Sequence, residues 1–237
     1  MYITPPEHTR HRKTLNILIK LVGKGVLGDV LAEHKRMLDL GCGSGDLTIL
    51  VAKLLNVNEV YGVDIDEDKA KMAKDKGVIA ERCNLNNDKL PFPNNFFDYV
   101  TAFDVLEHIV NIDHCLKEVR RVLKDTGSFI FTVPNMASLW GCLELLLGRY
   151  PWGLEYSFET MRSRSIKVRS IRRVKPAGHI RGFTLWALED LLDFHGFKIV
   201  HSTGFNISVL AYYLPLLPLT YLRKTLKGHL LIVAKKQ

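Results

Sequence analysis

The 237-residue chain is poor in cysteine and lacks the cysteine spacings that accompany metal sites or disulfide frameworks. Its four cysteines are widely scattered and form no C-x-x-C pair. We therefore interpret them as small core residues in a reducing compartment, and we predict no metal site. The N-terminus has no apolar run behind its charged residues, so we expect no signal peptide and a cytoplasmic location.

Excess positive charge is also absent from most of the chain, although the formal net charge is +8. Seven Lys and Arg residues, with no acidic residue between them, lie in the basic segment 161–176. A partner attracted by charge would therefore meet one segment and not the whole surface. Three interpretations stay open: a solvated mobile loop, a site for an anionic small molecule or lipid headgroup, and RNA binding helped by neighbouring aromatic residues.

Charge of either sign is missing from Ser202–Leu222. The length of this uncharged run would admit a membrane span, but two prolines and several polar side chains interrupt it. Packing in the core or a substrate pocket, contact with a lipid surface, and a true span are the alternatives. Basic residues follow directly, which suits an anionic membrane surface. Peripheral membrane contact through 202–227 is therefore one interpretation.

One stretch, Met37–Leu50 with the sequence MLDLGCGSGDLTIL, predicts a buried strand, a glycine turn and an amphipathic helix. The predicted apolar face of this helix comprises Leu47, Leu50, Val51, Leu54 and Leu55. Glycines at 41, 43 and 45 carry no Cβ, so a ligand can approach the backbone there. N–H groups at the helix start would point at a polar group of that ligand. The stretch therefore predicts a nucleotide-type binding turn.

The residues around the turn argue against a dinucleotide. The fingerprint G-x-G-x-x-G would need a third glycine at position 46, where the chain has Asp46. Asp39, two residues before Gly41, would repel a pyrophosphate and suits a ligand that carries positive charge. Asp64 ends a second apolar strand, where an acid can accept hydrogen bonds from ribose hydroxyls.

Short strands and helices alternate over 36–135, which predicts an α/β fold with a doubly wound parallel sheet. The predicted strands are 36–40, 59–63, 79–83, 97–103, 127–133, 196–200 and 229–234, and the predicted helices are 46–55, 67–75, 112–123, 139–147 and the one that Thr184 caps. In such sheets the ligand lies outside the carboxyl ends of the strands. The residues that fall at predicted strand ends are Asp39, Asp64, Asn84 and Phe103. We therefore expect them to converge on one crevice.

Four motifs in this order resemble those of the class I S-adenosylmethionine-dependent methyltransferases. They are D-x-G-x-G-x-G at 39–45, VYGVD at 60–64, LPFPNNFFDYV at 90–100 and FDVLEHI at 103–109. The resemblance implies a Rossmann-like, seven-stranded sheet whose last strand is antiparallel. It also implies S-adenosylmethionine as the methyl donor and S-adenosylhomocysteine as the product.

The same resemblance implies a set of cofactor-binding residues. They are Asp39, Gly41, Gly43 and Gly45 for the methionine part, Asp64 for the ribose, Ile65, Asn84 and Leu85 for the adenine, Phe103 near the methionine end, and Cys42 within the glycine turn. Asn84 departs from the family pattern, in which many members have Asp. The substitution changes the charge near the adenine but keeps an acceptor oxygen.

A hydroxyl acceptor would need a general base, and imidazole is the natural group near neutral pH. His108 follows the fourth predicted strand, and His179 ends the segment that breaks the α/β pattern. Both are candidate catalytic residues. Asp104 and Glu107 are alternatives, although we interpret them more simply as exposed acids at a helix start.

The leading hypothesis is a methyltransferase that acts on a small-molecule or lipid-like acceptor, by O-methylation. RNA methylation through the basic segment, or a non-catalytic cofactor-binding partner subunit, are the alternatives. We expect a single domain. Its parts would be an N-terminal helical extension over 1–35, a core over 36–135, an insertion or lid over 136–180, and completion of the core over 181–237. The helix of the N-terminal extension is predicted from an apolar face that comprises Leu15, Leu18, Ile19 and Val22.

Overall fold

The computed structural model describes residues 6–32, 34–151, 154, 155, 157, 159, 161, 162, 173, 174, 177–205 and 226–237. The helices are α1 (Pro6–Gly23), α2 (Asp46–Leu54), α3 (Glu67–Asp75), α4 (Ile112–Val122), α5 (Leu139–Leu146) and α6 (Leu185–Phe194), with a short 3₁₀ helix at Leu106–His108. The strands are β1 (Arg36–Leu40), β2 (Glu59–Asp64), β3 (Ile79–Arg82), β4 (Phe97–Phe103), β5 (Leu123–Pro134), β6 (Met161–Arg162), β7 (Arg173–Val174), β8 (Phe197–Phe205) and β9 (His229–Lys236).

Seven of these strands form one sheet in the order β3-β2-β1-β4-β5-β9-β8. The pairs among β1 to β5 are parallel, whereas β9 is antiparallel to both β5 and β8. The order reverses between β1 and β4, which is where ligands bind in open α/β sheets. The predicted doubly wound sheet with an antiparallel last strand is confirmed.

Alternate residues of the central strands enter two cores on opposite faces of the sheet, because side chains alternate along a strand. On β1, Met37 packs with α1 and α2, while its neighbour Leu38 packs with α4 and α6. Leu18 and Val51 are fully buried on the first side, and Leu116 is fully buried on the second. This two-sided burial explains why the central strands are continuously apolar.

Tertiary packing moves several boundaries and faces away from their predicted positions. Strand β5 begins at Leu123, directly after α4 and earlier than the predicted 127–133. Leu50 of α2 is 49% exposed and Ile19 of α1 is 53% exposed, although both were predicted on apolar faces. The buried faces instead include Thr48 of α2 and Leu21 of α1. In each helix the face that meets the sheet is rotated relative to the one that leucine spacing predicts.

Helix α1 lies against α2 and reaches the carboxyl end of β4. Leu18 and Leu21 join the core that α2 covers. The guanidinium of Arg10 donates to the carboxylate of Asp104, directly after β4, at 3.1 Å. The N-terminal extension therefore packs as a helix and also brings its first turns to the edge of the sheet where a ligand would bind.

Most of the basic segment 161–176 lies outside the described residues. Its described parts are β6 and β7, which pair in antiparallel register with Arg162 opposite Arg173. The uncharged run contributes Ser202 to Phe205 to β8, and its remainder lies outside the described residues. Among the helices that the structure describes, none has the length and apolar character needed to cross a bilayer.

Candidate active site

The turn after β1 depends on glycine. The backbone φ angles of Gly41, Gly43 and Gly45 are +65°, +53° and +80°, in the region that side chains with a Cβ disfavour. The N–H groups of Gly41 and Cys42 both donate to the carbonyl of Val63, at 2.8 and 3.1 Å. The turn is therefore fixed against the end of β2.

The three glycines have different spatial roles. A Cβ on Gly41 would lie 2.7 Å from Val105 Cγ2, and one on Gly45 would lie 3.2 Å from Ala73. A Cβ on Gly43 would meet nothing within 4 Å. Of the three positions, Gly43 thus offers open space to a ligand, whereas Gly41 and Gly45 allow close packing within the protein. That a ligand approaches the backbone of this turn stays a prediction.

Asp39 lies beneath the turn and is 4% exposed. Its two carboxylate oxygens accept hydrogen bonds from the hydroxyls of Thr48 on α2 and Thr101 on β4. Burial raises the pKa of Asp39 from 3.8 to about 6, and the two hydroxyl donors partly oppose that effect. Asp39 therefore joins β1, α2 and β4 and places negative potential under the glycine turn.

Asp64 ends β2 and faces the same turn. Its Oδ2 accepts from the N–H of Gly43 at 2.8 Å, and its Oδ1 accepts from the N–H of Asp66 at 3.0 Å. Each carboxylate oxygen has a further lone pair for a ligand hydroxyl. Ile65, the next residue, is 58% exposed. An acid and an exposed apolar side chain thus lie together beside the open glycine.

The loop after β3 folds on its own side chains. The Oδ1 of Asn84 accepts from the backbone N–H of Asn86 at 3.1 Å and from its side-chain amide at 2.9 Å. The Oδ1 of Asn86 in turn accepts from the N–H of Val110 at 2.7 Å. Leu85 is buried in this loop. The amide oxygen of Asn84 therefore already has two donors, and the loop is tied to the segment that follows β4.

The segment after β4 turns sharply at Asp104, whose φ is +55°. The Oδ1 of Asp104 accepts from the hydroxyl of Thr132 at 2.9 Å, and its Oδ2 takes the bond from Arg10. Phe103, half-buried, packs into the core that α1 and α2 cover. These contacts fix the start of the FDVLEHI motif at the switch point of the sheet.

Glu107 in this segment is fully buried, so its interpretation as an exposed acid is wrong. Neither carboxylate oxygen has a hydrogen-bond partner among the described residues. Burial, with a smaller effect from the Asp104 carboxylate, raises the pKa of Glu107 to about 8. The 3₁₀ helix turns this side chain inward, an orientation for which the sequence contains no periodic signal.

His108 and His179, the two candidate catalytic residues, lie next to each other in the structure. Their ring centroids are 4.9 Å apart at an interplanar angle of 57°. The Nδ1 of His108 lies 3.0 Å from the carbonyl oxygen of Gly178. The Nε2 of His179 lies 3.9 Å from Oε1 of Glu107. Two imidazoles and a buried carboxylate therefore form one cluster, which we call the Glu–His cluster.

The backbone around His179 is held from two sides. The carbonyl oxygen of Glu107 accepts from the N–H groups of Ile180 and Arg181 at 3.1 and 3.2 Å. On the other side, Glu155 accepts from the backbone N–H groups of residues 177, 178 and 179 at 2.5, 2.6 and 3.0 Å. The role of Glu155 was not predicted from the sequence, because the residue belongs to no recognisable motif.

Comparison with known proteins agrees with this geometry. A family model described as a methyltransferase domain matches residues 38–131. The uncharacterized protein MJ1252 of Methanocaldococcus jannaschii is 31% identical over 199 residues, which cover 81% of this chain and 73% of that protein. The crystal structure of PH0226 from Pyrococcus horikoshii superimposes with a TM-score of 0.61 at 21% identity, covering 99% of this chain and 93% of the other.

A second relative carries a functional name. The ubiquinone/menaquinone biosynthesis C-methyltransferase UbiE of Burkholderia vietnamiensis is 35% identical over 127 residues. The match covers 49% of this chain and 51% of UbiE, so the chain spans about half the length of that relative. Together with the strand order, the glycine turn and the acid at the end of β2, these matches show that the chain belongs to the class I S-adenosylmethionine-dependent methyltransferases.

Proposed function

We propose that this enzyme methylates an oxygen of a small-molecule or lipid-like acceptor. The observation that carries the proposal is the Glu–His cluster. Two of its members, Glu107 and His108, lie in the segment that follows β4, at the switch point where the glycine turn after β1 also lies. Val105, two residues before Glu107, is the side chain that a Cβ on Gly41 would meet. The glycine turn therefore contacts the segment that carries the candidate base His108.

The residues of the turn fit the cofactor. Gly43 leaves open space above the backbone, and the buried carboxylate of Asp39 favours a ligand with positive charge. The full proposed set for cofactor binding is Asp39, Gly41, Cys42, Gly43, Gly45, Asp64, Ile65, Asn84, Leu85 and Phe103. When bound, the cofactor supplies an electrophilic methyl group on a sulfonium. The protein's part is to align donor and acceptor and to exclude water.

His108 and His179 are the proposed groups that accept the proton of the acceptor hydroxyl. The carbonyl of Gly178 can only accept a hydrogen bond, so the Nδ1 of a neutral His108 carries the proton. The Nε2 of that ring then presents its lone pair. Glu107 is fully buried, and its Oε1 lies 3.9 Å from the Nε2 of His179, so its side chain lies beside the second imidazole and is shielded from water.

Apolar surface near the insertion supports a lipid-like acceptor. Leu145, Leu146 and Leu147 at the end of α5 are 57%, 82% and 60% exposed. Three adjacent exposed leucines are unusual on a surface that meets only water. Residues 227 and 228, which follow the uncharged run in the sequence, lie beside the start of α5, since Asn135 donates hydrogen bonds to the carbonyl oxygens of Lys227 and Gly228. UbiE, by its name, acts in quinone biosynthesis, which agrees with an acceptor of this class.

The experiment is methyl transfer from labelled S-adenosylmethionine into whole-cell extract, separated into lipid, small-molecule, RNA and protein fractions. Label in the lipid or small-molecule fraction supports the proposal, and NMR of the product then distinguishes an O-methyl from a C-methyl group. Label in RNA contradicts it and makes the basic segment the recognition surface. A protein that binds the cofactor but labels nothing would indicate a partner subunit.

A charge variant separates the interpretations of the basic segment. In it, five arginines are replaced by glutamine: Arg162, Arg164, Arg169, Arg172 and Arg173. An anionic acceptor would bind at least about 10-fold more weakly to this variant, because bidentate contacts are lost. Unchanged acceptor affinity would leave the segment as a solvated loop.

A further inference from the structure

We propose that Glu107, His108 and His179 bind a divalent transition-metal cation. Each residue offers one ligand atom, and these atoms all lie within 4.8 Å of one another. The proposal goes beyond methyl transfer itself, since it adds an inorganic ligand that the cofactor site does not require. The three donors come from two segments that are distant in sequence, so no sequence motif of fixed spacing predicts them.

The carboxylate of Glu107 needs a compensating partner. Its side chain is 0% exposed, and both oxygens lack a hydrogen-bond partner in the part of the chain that the structure describes. A buried carboxylate without a partner is costly, whereas coordination to a cation satisfies its oxygens. The nearby guanidinium of Arg10 is bonded to Asp104 at 3.1 Å, so that cation is already engaged.

His108 has the environment of a metal ligand. Imidazoles that bind metals commonly donate their other N–H to a backbone carbonyl or a carboxylate, which fixes the ring and the tautomer. The Nδ1 of His108 makes this contact with the carbonyl of Gly178 at 3.0 Å. That contact leaves the Nε2 as the nitrogen of His108 that would coordinate a cation.

His179 is positioned by a rigid frame. Glu155 holds the backbone N–H groups of residues 177 to 179, and the carbonyl of Glu107 holds those of Ile180 and Arg181. Ligands about 2.0–2.2 Å from one metal lie about 3 to 4.4 Å from each other. The Nε2 of His179 is already 3.9 Å from Oε1 of Glu107. Side-chain rotations that move donor atoms by about 1 Å would complete the site.

Two imidazoles and one carboxylate suit zinc, manganese or iron(II), and leave coordination positions for oxygen ligands. An acceptor hydroxyl is the natural occupant of such a position, and this part of the inference rests on the proposed function. A hydroxyl bound to the cation loses its proton to water more readily, as metal-bound water does. The cation would then take over the activation that a histidine base otherwise performs.

The test uses the full chain without a histidine tag, freed of metal by a chelator and dialysis. Zn²⁺ is titrated by calorimetry, and Co²⁺ is titrated by its visible absorption. We expect one cation per chain at a dissociation constant of about 10 µM or tighter. Glu107→Gln and His179→Asn should each weaken binding by at least about 100-fold. His34→Asn is the matched control: His34 is exposed and has a φ of +58°, which Asn accepts.

S-adenosylhomocysteine affinity and the thermal midpoint are measured on every variant, so that loss of folding is recognised. If either cluster variant folds and still binds the cation as the wild type does, the inference is wrong. It is equally wrong if the folded wild type binds no Zn²⁺ or Co²⁺ at 1 mM. Such a failure leaves the proposed function standing, because an imidazole base needs no cation. Failure of the proposed function would appear instead as missing label in the lipid and small-molecule fractions.

Discussion

The carboxylate of Asp64 accepts a hydrogen bond from the backbone N–H of Gly43 at 2.8 Å. Asp64 ends β2, and Gly43 is the glycine of the turn after β1 that faces open space. The acid that the family resemblance assigns to the ribose therefore also holds the backbone that the resemblance assigns to the methionine part. The two halves of the proposed cofactor site depend on each other.

Asp64→Ala should weaken S-adenosylhomocysteine binding by at least about 100-fold, because the variant loses both the proposed ribose acceptor and the partner of Gly43. Isothermal calorimetry checks this. Asp66→Ala is the control, since the Asp66 side chain caps α3 by accepting from the N–H groups of Asp68 and Lys69. It should cost about 1 kcal/mol of stability and leave the affinity unchanged. Equal affinities for the two variants would contradict the site assignment.

Gly45→Ala should chiefly lose folding stability, whereas Gly43→Ala should chiefly lose cofactor affinity. Both impose a Cβ at positive φ, which costs about 1–2 kcal/mol. At Gly45 the Cβ also meets Ala73 at 3.2 Å and Val78 at 3.3 Å, so this variant should lose more stability. At Gly43 the Cβ enters the open space of the proposed site, so cofactor affinity should fall while folding persists. Urea unfolding and calorimetry together check the pair, and a more stable Gly45→Ala than Gly43→Ala would contradict the packing argument.

Asp39 should make folding stability depend on pH. Its pKa in the folded state, about 6, lies above the ordinary 3.8, so the folded state binds the additional proton between these values. The contribution of Asp39 to the free energy of unfolding therefore falls as pH rises from about 4 to 6 and is level above that range. The difference corresponds to at most about 3 kcal/mol.

Asp39→Asn removes the ionisable group and keeps an acceptor oxygen for the hydroxyl of Thr48 or Thr101. Relative to wild type, the variant should gain stability on going from pH 4.5 to pH 7.5. Urea unfolding of both proteins at the two pH values measures this gain. Parallel pH profiles for the two proteins would show that Asp39 does not titrate in this window.

His108→Asn and His179→Asn should each lower kcat by about 100-fold or more, the usual effect of losing a general base or its partner. Affinity for S-adenosylhomocysteine should stay within about twofold of wild type, because neither residue belongs to the proposed cofactor set. His34→Asn controls for the removal of a histidine. The assay is methyl transfer to the acceptor that the extract experiment identifies. An unchanged kcat in both variants would show that the Glu–His cluster takes no part in the reaction.

Arg10→Ala should loosen the start of α1. The Arg10–Asp104 pair is 35% and 25% exposed, so global stability should fall by less than about 1 kcal/mol. Hydrogen exchange in the first turns of α1 should nevertheless accelerate, and S-adenosylhomocysteine should dissociate faster if this helix covers the crevice. Arg12→Ala is the control on the same helix, since Arg12 is exposed. Identical dissociation rates for the two variants would make α1 a packing helix only.

The strands and helices around the cofactor site were predictable because each is specified by contiguous residues. Strands β1 and β4 and helix α3 have the bounds expected from apolar runs and caps. The glycine turn follows from positive φ angles that glycine adopts at little cost, and the acids at the ends of β1 and β2 follow from strand length. Local periodicity and turn chemistry act over a few residues, so the sequence displays them directly.

The Glu–His cluster, by contrast, was decided by tertiary structure. Glu107 has the sequence pattern of an exposed acid at a helix start, but in the fold its side chain is fully buried and its backbone carbonyl accepts from the N–H groups of Ile180 and Arg181. Glu155 holds that segment through backbone N–H groups, whose partners depend on chain path and not on residue type. By itself, the sequence determined the fold and the cofactor turn, because these rest on near neighbours in the chain. The surroundings of His108 and His179 required the folded chain, because burial and distance between remote segments have no local signature.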